Sequence, residues 1–310
     1  MRRVLAAARI AALLGGVSAL AIGCGGSNAT GRTDAGGDTS DDPSGHDTGG
    51  AAGTGDAPVD ADADRGPEGG AKKRPNIVVI FADDMGFGDV SAYGARFGTP
   101  SAAPTPHMDA LAAEGVMFTQ AHSSNGVCTP SRYALLTGKY NWRTFSDVSW
   151  SFAAPDIPGG DTTLAEFLKT QGYDTAAFGK WHLGGYFYDR AGTPYTARDN
   201  EITDPAGVDW EHPLVGHATD NGFDIFRGLA VTINLPPYVY VKEDRIQYYD
   251  TVLGAYRDAR NTDAYYSFNG TDLDDGLTVG NNAVPGLGDP SFKQIDADPI
   301  MLGEVEEYVA

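Results

Sequence analysis

The sequence predicts an α/β protein in which helices cover a sheet that contains parallel strands. Three observations carry this. The run at 76–82, Asn-Ile-Val-Val-Ile-Phe-Ala, is continuously apolar and β-branched, as in a strand buried on both faces. Helical patterns follow at 106–114 and 162–170. The second has Asp161 as an N-cap and stops before Gly172. A further strand pattern, Tyr-Asp-Thr-Ala-Ala-Phe, occupies 173–178. Strand, helix and strand with short connections describe an α/β sheet. In such sheets ligands bind beyond the carboxyl ends of the strands, which directs attention to the residues after 82 and after 178.

The chain ahead of this body reads differently. Arg2, Arg3 and Arg9 precede an apolar run at 10–22 that is too short to span a bilayer. A basic start, a short apolar centre and small residues after it describe a secretory signal peptide over 1–24. Its end, Leu20-Ala21-Ile22-Gly23-Cys24, resembles the lipobox of bacterial lipoproteins, although leucine is commoner where Ala21 stands. The resemblance implies cleavage before Cys24 and a lipid on its thiol. The alternative is an ordinary signal peptide with an incidental cysteine. Residues 25–74 are rich in Gly, Asp, Ala, Thr and Ser, and cannot bury enough surface to offset ordering entropy. They read as a disordered acidic linker, extended by its own charge, between an anchor and the body at 75–310. The expected location is the bacterial cell envelope, lipid-anchored as a periplasmic or outer-membrane lipoprotein. Without the lipobox the protein is secreted.

The 310 residues include 42 acidic and 22 basic side chains, a formal net charge of −20. That balance argues against nucleic-acid binding. Two cysteines cannot build a disulfide framework. An anionic substrate would need local cationic focusing against this background.

Three motifs lie beyond the strand ends. Asp83 and Asp84, followed by Gly86 and Gly88, offer oxygen ligands to a hard cation, or simply form a polar turn. Cys128-Thr129-Pro130-Ser131-Arg132 runs on to Leu136-Thr137-Gly138. Pro130 suits a first helical turn and Gly138 a helix end. Cys128 would then sit at a helix N-terminus that favours anions, with Arg132 one turn on. A buried structural cysteine is the other reading. A cysteine-phosphatase loop is excluded, since it needs five residues between Cys and Arg and only three stand here. Gly179-Lys180-Trp181-His182-Leu183-Gly184 follows the later strand, and alternation in extended chain would place Lys180 and His182 on one side. Such a pair can bind an anion and move a proton, or can decorate a surface.

Taken together these segments resemble the type I, formylglycine-dependent sulfatases of the alkaline-phosphatase-like superfamily. The likeness runs from Arg74 to about Gly228. It also takes in Thr105-Pro106-His107-Met108-Asp109-Ala110-Leu111 and Asn221-Gly222-Phe223-Asp224. The resemblance implies a mixed, mostly parallel sheet flanked by helices, and a sulfuric ester hydrolase. It implies that a formylglycine-generating enzyme, guided by Pro130 and Arg132, oxidises Cys128 to Cα-formylglycine. The hydrated aldehyde then attacks sulfur and releases sulfate through a covalent intermediate. Asp83 and Asp84 match the first two calcium ligands, joined by residue 128. Arg132 matches the residue holding the formylglycine, Lys180 a sulfate ligand, and His182 the residue that positions or deprotonates the diol. The substrate would be a small-molecule or carbohydrate sulfate ester.

The family also uses a second acidic/amide ligand pair, another histidine and another lysine, none of which is placed here. Asp272, Asp274 and Asp275 fail calcium-loop spacing and read as an acidic surface loop. His107, His122, His212 and His217 carry no assignment. Residues 298–310 read as the opening of a helix with no stop signal, so the sequence is expected to be the first half to two-thirds of a sulfatase domain. Two rivals stand beside the sulfatase reading: a phosphate or phosphonate ester hydrolase of the same superfamily, and a catalytically incompetent truncated fragment.

Overall fold

The structure is a computed structural model and describes residues 74–98, 101, 103–196, 202, 204–268, 286–293 and 296–310. The signal segment, Cys24, the linker to residue 73 and the Asp272–Asp275 cluster lie outside the described residues.

Five strands form a mixed sheet in chain order: β1 (Ala176–Lys180), β2 (Ile225–Leu229), β3 (Tyr240–Lys242), β4 (Arg245–Asp250) and β5 (Ala255–Asp258). β1 runs parallel to β2 and the other three pairings are antiparallel, so the sheet is mixed as expected but, among the described residues, not mostly parallel. The cause is connection length. Two residues join β3 to β4 and four join β4 to β5, and hairpin turns of that length reverse the chain. The β1-to-β2 crossover is long enough to return the chain in the same direction. Strands β6 (Tyr266–Phe268) and β7 (Gly286–Gly288) pair separately.

Alternation along the strands gives the sheet two apolar faces. Phe226, Val241 and Ile246 join a core with Tyr133, Phe152, Trp181, Leu183, Phe187 and Trp210. Leu229 and Tyr240 face a second cluster with Tyr238, Phe292 and Ala297. Helix α1 (Ser91–Phe97) is tied to α2 (Pro106–Glu114) by Asp109, which accepts from Ser91 Oγ at 2.6 Å and from the Ala92 N–H at 2.8 Å. Helix α3 (Cys128–Thr137) and helix α4 (Leu164–Thr170) are neighbours, and α5 (Ala297–Val309) lies against β1 and β2.

The strand expected at 173–178 lies at Ala176–Lys180, which puts Lys180 inside it. Two further sequence expectations are corrected. Residues 74–82 are assigned no strand, and the side chains of Ile77, Val78, Val79, Ile80 and Phe81 are 43–60% exposed. A strand exists only through its ladder partners, and neither sheet of the described residues includes this run. Helix α4 is capped by Thr163 rather than Asp161. Thr163 Oγ1 accepts from the Glu166 N–H at 3.1 Å, and the Glu166 carboxylate accepts from the Thr163 N–H at 2.8 Å. Asp161 instead accepts from Tyr133 Oη and Lys139.

The Asn221–Asp224 segment is a fastening. Asp224 accepts from the Thr175 N–H at 2.9 Å and pairs with Lys169, which locks the entry to β1 beside β2. Gly222 sits at φ 95° where a Cβ would fall 2.5 Å from the Glu166 nitrogen, so the contact with α4 requires glycine.

His217 is fully buried between Trp181 and Phe226, and neither ring nitrogen has a hydrogen-bond partner among the described residues. Burial lowers its pKa from 6.5 to about 3. Unfolded chain therefore binds the proton more readily than folded chain. The stabilisation is complete above pH 6.5 and is lost as pH falls from 6.5 towards 3. Urea midpoints should drop between about pH 7 and about pH 5, with a slope of up to ~1.4 kcal/mol per pH unit from this group. His182 is shifted in the same direction, so His217→Phe should reduce the slope by about half rather than abolish it; a variant with the wild-type slope would place the titration elsewhere.

Candidate active site

Helix α3 presents the cysteine motif. Val127 is extended at φ −131°, Cys128 opens the helix, and Pro130 sits in the first turn, where its missing N–H costs nothing. Gly138 closes the helix in left-handed conformation at φ 66°, its N–H bonded to Ala134 O at 2.9 Å. Ser131 donates to the Asn125 carbonyl at 2.6 Å and steadies the entering loop.

Four of the expected residues converge at this helix start. Lys180, at the carboxyl end of β1, donates from Nζ to Cys128 Sγ at 3.0 Å and pairs with Asp83 Oδ2 at 2.7 Å. Arg132 Nη2 lies 3.1 Å from the same Asp83 oxygen, while Nη1 donates to the Lys180 carbonyl. Cys128 Sγ donates to Asp83 Oδ1 at 3.5 Å. Asp83 thus stands between two cations and the sulfur. Partial burial pushes its carboxyl up, but the charge and hydrogen bond of Lys180, then Arg132 and Cys128, outweigh that and hold it below the usual range.

Asp84 has φ 53°, uncommon for a residue with a side chain. Successive side chains in extended chain point to opposite faces, and the left-handed turn changes this. One ligand atom each from Asp83, Asp84 and Cys128 lies within 4.8 Å of the others. The two carboxylates fit one side of a hard-cation site; the sulfur of Cys128 is a soft donor, and only an oxygen-bearing residue at 128 would suit that ion. A calcium ion takes six to eight oxygens, so these donors complete only part of its shell.

His182 is placed differently from the alternation argument. The chain continues the β1–β2 ladder past Lys180, with the Trp181 and His182 N–H groups bonded to Leu229 O at 2.9 Å and Ala230 O at 3.1 Å. At His182 φ is 55°, so strict strand alternation ends there. Its ring is buried, with Nε2 2.8 Å from the Ser149 carbonyl. Burial, followed by the charge of Lys180, lowers its pKa to about 3 despite the Ser149 bond. Sequence reasoning singles out neither Thr129, whose Oγ1 donates to the His182 carbonyl, nor Ser149, whose carbonyl faces the ring. Thr129 lay inside the cysteine motif; Ser149 carried no signal.

The sulfatase family model matches residues 75–271. The chain belongs to the sulfatase family. Over 175 residues it is 35% identical to an N-acetylgalactosamine-6-O-sulfatase of Bacteroides thetaiotaomicron, covering 56% of this chain and 30% of that protein. Human steryl-sulfatase is 36% identical over 173 residues, 53% of this chain and 25% of that one. The chain therefore spans a third or less of these curated relatives' length. A solved structure from the metabolism of multiple glycosaminoglycans by B. thetaiotaomicron superposes with a TM-score of 0.57 at 26% identity. It covers 76% of this chain and 48% of that chain.

At this site Arg132 is a two-point clamp, which a lysine cannot reproduce. Arg132→Lys should lose one of the two contacts and lower stability by about 1.5–3 kcal/mol, the usual cost of a hydrogen bond to a charged group. Urea denaturation at neutral pH measures it. Unchanged stability would show that the clamp is not held in solution.

Proposed function

We propose that this chain is part of a sulfuric ester hydrolase acting on small-molecule or carbohydrate sulfates. The observation that carries the reading is the convergence of Asp83, Lys180 and Arg132 on Cys128 at a helix N-terminus. When present, Cα-formylglycine at position 128 supplies a hydrated aldehyde as nucleophile, and a calcium ion held by Asp83, Asp84 and residue 128 supplies positive charge. The chain's own groups do the rest. Lys180, reaching residue 128 and anchored by Asp83, is placed to bind a sulfate oxygen. Arg132 fixes the backbone of Lys180 and the Asp83 carboxylate in one geometry. His182 is neutral at physiological pH, because burial and then Lys180 disfavour its cation, so one ring nitrogen carries a lone pair.

Cys128, Thr129, Pro130 and Ser131 are buried, so a formylglycine-generating enzyme must read this segment before the chain folds. Turnover of an aryl sulfate should exceed that of the matching aryl phosphate, require calcium, and vanish in Cys128→Ala. A preference for the phosphate ester would assign the site to the phosphoryl branch of the superfamily. Activity retained in Cys128→Ala would refute the nucleophile. No calcium-dependent turnover or calcium binding by this chain would favour the incompetent fragment.

The same proposal places the protein in a bacterial envelope, anchored by lipid on Cys24 and tethered by residues 25–74. Its support is the lipobox-like end of a signal-type segment. Cys24→Ser should move the protein from the membrane fraction to the soluble one; a variant still sedimenting with membranes rules out this anchor.

A further inference from the structure

A closed ring of buried hydrogen bonds joins the cysteine helix to His182. Thr129, the residue after Cys128, donates from Oγ1 to the His182 carbonyl at 2.9 Å. The same oxygen accepts from the Ser149 N–H at 3.1 Å. The Ser149 carbonyl returns to the His182 ring, 2.8 Å from Nε2. One hydroxyl therefore fixes two backbones, and one of those backbones holds the ring of the residue attached to the other. Ser149 Oγ also donates to Asp156, whose N–H bonds to Leu183 O at 2.9 Å, bracing the ring from the far side. Thr129, Ser149 and His182 are 0%, 1% and 2% exposed, so water does not compete for these bonds.

A carbonyl oxygen only accepts, so the nitrogen facing it must carry the proton. Nε2 is that nitrogen. Nδ1 is buried with no hydrogen-bond partner among the described residues, and in the neutral ring it holds the lone pair. We propose that Thr129 and Ser149 are positioning residues for His182: they hold the Ser149 carbonyl on Nε2 and thereby make Nδ1 the basic atom. The inference rests on the hydrolase reading for its purpose, because a base must offer a lone pair to accept a proton. In that role, were residue 128 the hydrated aldehyde, a proton leaving one of its hydroxyls would pass to the Nδ1 lone pair and the ring would become imidazolium. Serine at 129 would keep the hydroxyl; valine keeps the branched shape and removes both bonds.

The test reads the tautomer directly. In the full chain with ¹⁵N-labelled histidine rings, His182 signals are identified by their loss in His182→Gln. Wild type should show one form at neutral pH, protonated at Nε2 and bare at Nδ1. Thr129→Ser should keep it. Thr129→Val should lose the single form and populate both tautomers, while circular dichroism remains native. A folded Thr129→Val with an unchanged single tautomer overturns the role of Thr129. A wild-type ring protonated at Nδ1 overturns the proposal without any variant, even if Thr129→Val does not fold. Because the signal does not depend on turnover, it stands apart from the sulfatase assay. Where turnover is measurable, Thr129→Val should lower kcat tenfold or more with KM little changed, and Thr129→Ser should restore it.

Discussion

The parallel pairing of β1 on β2 is the constraint from which the site hangs. Gly179 and Gly228 face each other across this pair, and a Cβ on Gly228 would fall 1.8 Å from the Gly179 carbonyl oxygen. The strands can approach in this register only because that side chain is absent. The ladder then runs on through Trp181 and His182 to Leu229 and Ala230. Lys180 and His182 are consequently delivered by the sheet rather than by a free loop. Gly184, at φ 69° and pressed against the Ala154 carbonyl, turns the chain away immediately afterwards.

Around residue 128 the ion pairs serve placement more than stability. Lys180 and Arg132 are largely buried, with side chains 14% and 13% exposed, and both meet Asp83. Removing two cations from water is costly, and their shared carboxylate offsets that cost only in part. The pattern is therefore expected where chemistry requires it. The left-handed backbone at Asp84 and His182, close in the chain to these cations, fits the same rule: local strain persists where the surrounding bonds determine it.

What the sequence made legible was local. The cysteine helix, with proline near its start and glycine at its end, could be read from spacing, because capping and turn preferences act over a few residues. The resemblance to sulfatases supplied the grouping of Asp83, Cys128, Arg132 and Lys180, which spacing alone did not settle. The ring of Thr129, Ser149 and His182 was not legible. Its bonds span 20, 33 and 53 positions, and a serine that contributes mainly its backbone leaves no mark on composition. The run at 76–82 shows the opposite limit. Its pattern states what a strand would bury and is silent about which strand would pair with it, and exposure of Ile77 to Phe81 follows from lacking that ladder.

Charge sets a last condition on the site. The chain carries a formal charge of −20, which repels an anionic ester at long range. Close to residue 128, Lys180 and Arg132 contribute two formal positive charges, and Asp83 and Asp84 contribute two negative ones. The Asp83 carboxyl is held in its ionised form by the cations beside it, so that balance persists at neutral pH. These side chains alone therefore give the site no net attraction for sulfate. A divalent cation on the two carboxylates would turn a neutral cluster into a positive one. On the proposed reading the acidic pair and the cationic pair would not be redundant: Lys180 and Arg132 would set the geometry of an oxyanion site, and the charge that draws the anion in would come with a metal on the two carboxylates.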